Sequence, residues 1–65
     1  MKKYLAIEVN SYGHGSVCFT QKLTNKQAHQ YMSNWNKRIY AGEEIDLIML
    51  IDRKTNKVVS TLSAG

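Results

Sequence analysis

A chain of 65 residues with a net charge of +4, 43% hydrophobic and 22% charged residues, and no proline has the balance of one small globular domain spanning residues 1–65. That balance excludes a disordered or low-complexity segment, and a single cysteine, Cys18, excludes an internal disulfide framework. Packing alone must hold such a fold, as in a reduced cytoplasmic protein, although a domain of this size buries only about 60% of the surface its unfolded chain exposes.

The chain begins Met1-Lys2-Lys3 and then turns apolar, but Glu8 and Asn10 interrupt the run well short of a secretion signal. Over residues 3–10 the pattern alternates. Leu5, Ile7 and Val9 fall on one side and Tyr4, Ala6, Glu8 and Asn10 on the other, the period of a half-buried strand. The aliphatic set is expected to face the core. After SYGHG, the run SVCFTQKL alternates again, with Val17 and Phe19 expected inside. Two such runs around a glycine-bearing loop make a hairpin with Tyr12 and His14 displayed at its turn.

Thr24 followed by Gln27 is a capping box, and Leu23 and Ala28 stand where a hydrophobic staple would close. Ala28, Tyr31, Met32, Trp35 and Ile39 recur at helical spacing. Lys37 and Arg38 suit the negative end of a helix dipole, and Gly42 suits its termination, so a helix is expected from about 25 to 41. EIDLIMLID then reads as a strand, RKTNK as a turn and VVSTL as a last strand. The third strand is apolar on both faces, and at this length it is far too short to span a bilayer.

The order is ββαββ, an α+β fold with one helix packed on one face of a small, mostly antiparallel sheet. In order and size it resembles the small β-grasp immunoglobulin-binding modules. The resemblance is architectural, with no motif shared, and it implies no function. A three-stranded sheet with a frayed C-terminal segment is the alternative fold.

The candidate sites divide the function classes. Gly13 and Gly15 precede a strand, not a helix N-terminus, which argues against a phosphate loop. His14 and Cys18, if extended, stand about 13 Å apart, too far to share a metal ion or act as a nucleophilic pair. The expectation is therefore no metal, no cofactor and no catalysis. A small ribonuclease-like enzyme using His14, with Tyr12 or His29 as second group, is the third reading.

One helix covers one sheet face, so the other face is expected to carry association through Tyr4, Ala6, Cys18, Ile48 and Leu50, joined by Val58 or Val59. Glu8, Thr20 and Lys22 would interrupt that patch, and an edge strand offers a second contact. Charge is segregated as well. Residues 1–40 set Lys2, Lys3, Lys22, Lys26, Lys37 and Arg38 against Glu8 alone, while residues 41–52 hold only the acids Glu43, Glu44, Asp46 and Asp52. Arg53, Lys54 and Lys57 make the end basic again.

The leading expectation is a non-catalytic protein-binding module, a homodimer in the cytoplasm with no membrane contact. Its specificity would be set by Glu43–Asp46 or the basic turn. Small basic chains of this kind are common among phage and mobile-element inhibitors of host proteins. The runner-up is a nucleic-acid-binding module using Lys26, Lys37, Arg38, Arg53, Lys54 and Lys57 on phosphates, with Tyr12, Tyr40 or Trp35 as stackers.

Overall fold

A computed structural model of the chain describes residues 1–63, apart from the side chain of Tyr12. Strand β1 (Tyr4–Tyr12) turns through Gly13 and His14 into β2 (Gly15–Leu23). Gly13 takes φ 60, the glycine-first geometry of a tight II′-type hairpin, and His14 is exposed beside it. SYGHGSVCF is thus a hairpin tip, closed more tightly than the alternation alone suggested.

Thr24 caps α1 (Asn25–Ser33) through a complete capping box. Its Oγ1 accepts the Gln27 amide at 3.2 Å, while the Gln27 side chain accepts the Thr24 amide at 3.0 Å. The expected single helix occurs in two segments, α1 and α2 (Trp35–Tyr40), meeting at Asn34. The Asn34 amide still reaches Gln30 O at 3.1 Å and the Arg38 amide reaches Asn34 O at 3.1 Å, so the axis continues across the junction.

The helix ends in a Schellman motif, with Gly42 at φ 90, its amide on Ile39 O and the Glu43 amide on Arg38 O. No atom lies within 4 Å of a Cβ built on Gly42. Gly42→Ala is therefore expected to cost about 1 kcal/mol through backbone conformation alone, read as a lower urea midpoint at unchanged m-value.

Strands β3 (Ile45–Asp52) and β4 (Lys57–Ser63) complete the sheet. In the turn between them Asp52 Oδ1 accepts the Lys54 and Thr55 amides, and Asn56 takes the left-handed φ of 59 that asparagine tolerates.

All neighbouring strands are antiparallel, in the order β2-β1-β3-β4. Because β2 and β3 both run opposite to β1, they are parallel to each other, and only a crossover can join them. That crossover is the helix, which is laid over β1. The β-grasp arrangement instead sets its first and last strands side by side in parallel, so the likeness stops at element order and size.

On β1 and β3 the structure reverses the expected faces, whereas Val17 and Phe19 of β2 lie on the helix side as expected. The register places Tyr4, Ala6, Glu8 and Asn10 beside Leu23, Gln21, Phe19 and Val17 on one strand and beside Asp52, Leu50, Ile48 and Ile45 on the other. This is the face under the helix. Ala6, Leu23, Ala28 and Leu50 form its buried cluster with Tyr4, Tyr31 and Met32 packed against it, and Ile45 and Ile48 are fully buried. The cause is the staple. Leu23 precedes the cap and packs beneath the helix with Ala28, so every residue sharing Leu23's side of the sheet is covered with it. Two alanines, Ala6 and Ala28, let helix and sheet approach closely. Val17 and Phe19 lie on this side too, but on the edge strand, where they remain 40% and 48% exposed.

Candidate functional site

Beneath the helix, the reversal buries a carboxylate. Glu8 is only 6% exposed, and the helix brings it matching donors. Arg38 Nη1 and Nη2 donate to its two oxygens at 2.6 and 2.7 Å, a two-pronged pair. Asn10 Nδ2 donates at 2.8 Å, and the Tyr31 hydroxyl donates to Oε1. Arg38 also donates from Nε and Nη2 to Glu43, which the Schellman turn holds beside it, and its guanidinium stands 5.8 Å from the Tyr31 ring centroid.

Hydrogen bonds from Arg38, with those from Tyr31 and Asn10, outweigh burial and hold Glu8 down at a pKa of about 2. Burial and the neighbouring carboxylate push Tyr31 up to about 12. Glu8 is therefore ionised and Tyr31 protonated at neutral pH, and neither is poised to move a proton there. These groups line an open recess of about 410 Å³ together with Phe19 and Gln21. Its interior is a closed circuit of charges holding the helix onto the sheet.

Among the described residues no element covers the opposite face. Three apolar rows cross its two central strands: Leu5 beside Ile51, Ile7 beside Met49, and Val9 beside Leu47, all half-buried. Val58 extends the first row and Cys18 the third, both exposed. Thr20 and Lys22 border the rows on β2, and Ser11 donates to Asp46 at the far end.

This arrangement corrects the expected association face. Ala6, Ile48 and Leu50 are core residues under the helix, and Tyr4 packs against that core. Of the expected set, Cys18 alone lies on the uncovered face, and Val58 is the valine that joins it. Glu8 does not interrupt the patch, because it is on the other side of the sheet.

The basic positions are spread over separate elements. Lys26 stands on α1 and Lys37 on α2, while Arg53 and Lys54 lie in the last turn and Lys57 opens β4. Arg53 donates to the Lys2 carbonyl at 2.7 Å. Arg38, expected on phosphate, is already bound by two carboxylates, which removes the strongest member of that set. His14 sits at the hairpin tip and His29 on the exposed side of α1. The expectation for the Tyr12 side chain lies outside the described residues. Among the described residues no group of three His, Cys, Asp or Glu side chains forms a metal site, and no helix is long and apolar enough to cross a membrane.

The charge cluster escaped the sequence reading, yet it left a signal. Glu8 is the single acid in the first forty residues, and Arg38 follows Tyr31 by two helical turns on the same stripe. Compared with protein-family models, curated proteins and solved structures, the chain has no significant match.

Proposed function

We propose that the protein is a non-catalytic protein-binding module that works through its uncovered sheet face, and that the first occupant of that face is a second copy of the chain. The observation supporting this is the block of paired apolar rows from Leu5–Ile51 to Val9–Leu47, on a sheet face that no element among the described residues covers. Contiguous apolar surface of this kind marks association.

Charge favours a second copy. The face carries the basic Lys22 beside Leu5 at one end and the acidic Asp46, bonded by Ser11, at the other. Stacked sheets pack about 10 Å apart, and a two-fold axis lying across the strands reverses one copy relative to the other. The basic end of each copy then lies over the acidic end of its mate. An axis along the strands would set like ends together, a costlier arrangement.

Light scattering tests this. The wild type is expected to exceed its 7.4 kDa monomer mass, and Ile7→Asp, at the centre of the rows, to halve the apparent molar mass at equal concentration. Met49→Lys, opposite Ile7, should do the same. A molar mass indifferent to both substitutions would show that the face is not the interface. Retention on nucleic acid that survives both variants but falls with salt would favour the phosphate-binding reading instead.

A further inference from the structure

The two edges of the sheet are guarded unequally. Strand β4 carries a register irregularity opposite Leu50 and Ile51, and it begins at Lys57 beside the basic turn. Both devices discourage strand addition. Strand β2 is nine residues long and pairs with β1 without any register shift. From Gly15 to Gln21 it has no charged side chain and no proline.

The free edge of β2 is ready to pair. The Ser11 amide donates toward β3, to Glu44 O at 3.0 Å, so Ser11 and Ser16 form a pair without mutual hydrogen bonds in the β1–β2 ladder. By alternation Ser16, Cys18 and Thr20 turn their backbone N–H and C=O groups outward. The segment Ser16-Val17-Cys18-Phe19-Thr20 is also nearly its own reverse about Cys18.

We infer that β2 pairs antiparallel with β2 of a second copy, about a two-fold axis at Cys18, joining two sheets into one continuous sheet. In this register Ser16 and Thr20 exchange backbone hydrogen bonds with Thr20 and Ser16 of the other copy, and Cys18 does so with its counterpart. Val17 meets Phe19 in the closely spaced pairs between them. β-branched–aromatic and Ser–Thr neighbours are favourable cross-strand pairs. The contact also explains why a valine and a phenylalanine stand exposed on the helix side of an edge strand: each is the other's partner across the axis. A contact made by the same patch on both copies closes as a dimer and does not propagate as a fibre. The inference uses the edge and not the uncovered face, so it stands or falls apart from the reading above.

Cys18 reports the contact, since the register sets the two Cys18 Cα atoms about 5.5 Å apart. A short bis-maleimide is expected to link wild-type protein into a covalent dimer. Val17→Lys/Phe19→Lys puts like charges opposite each other and should lower the yield about tenfold. Val17→Glu/Phe19→Lys puts opposite charges in the same places and should restore it. Both positions are already open to solvent, and the two variants differ only at residue 17. Ile7→Asp should not lower the yield, since it acts on the face and not on the edge. Absence of linkage in the wild type, equal linkage in the like-charged variant, failure of the charge-matched variant to recover, or loss of linkage in Ile7→Asp would each overturn the inference.

Discussion

Arg38→Met is expected to destabilise the protein by about 3 kcal/mol, measured as a fall in the urea midpoint. The substitution leaves the Glu8 carboxylate beneath the helix, 6% exposed, without its two-pronged partner. Breaking a buried pair from one side is strongly destabilising, and the lower end of the usual range applies because the Arg38 side chain keeps 24% exposure. In a small domain this removes much of the total stability. Replacing both partners, as in Glu8→Leu/Arg38→Met, should recover most of the loss, because no lone charge then remains under the helix. A double variant no better than Arg38→Met would mean that the helix is held by packing and that the charges matter little.

Acid should weaken the fold through the same contact. Folding lowers the Glu8 pKa from 4.5 to about 2, so the folded protein binds this proton less readily than the unfolded chain does. The associated stability is complete above pH 4.5 and is lost as pH falls toward 2. At 1.36 kcal/mol per pH unit it amounts to about 3 kcal/mol. Urea midpoints measured from pH 6 to pH 2 should fall along this slope, and Arg38→Met should flatten it, since the guanidinium is the largest cause of the shift. A wild-type slope retained in Arg38→Met would assign the acid sensitivity to another carboxylate. Tyr31, raised to about 12, acts at the other extreme: its contribution is complete below pH 10 and is lost as pH rises through 12.

Local chemistry made the elements legible. Thr24 and Gln27 mark where the helix starts, Gly42 where it ends, and the glycines after Tyr12 where the hairpin turns. Choosing which sheet face the helix covers is a different problem, because it depends on contacts across the chain. Alternation favoured Leu5, Ile7 and Val9 as the core side, since aliphatic side chains gain most from burial. The structure covers Ala6 and Glu8 instead, because Leu23 is fixed under the helix by the cap and because Arg38 and Tyr31 bring hydrogen bonds that make Glu8 tolerable there. Periodicity separates the two sides of a strand, but only the register and the staple say which one is inside. Of the residues expected on the face away from the helix, Cys18 and Val58 lie there, while Ala6, Ile48 and Leu50 lie beneath the helix.

The position of β1 at the centre of the sheet bears on how the chain reaches its fold. One flank of β1 is filled at once by β2 through the tight turn, but the other must wait for β3, where Tyr4 meets Asp52 and Val9 meets Leu47. Until then an N-terminal hairpin, complete in its own hydrogen bonds, presents the second edge of β1 to any strand that comes near. Closing that long-range pairing is the step with the largest entropy cost, and it should govern the folding rate. Side chains at the β1–β2 turn, already closed at that step, and side chains at the β1–β3 seam would then both change the folding arm of a chevron plot.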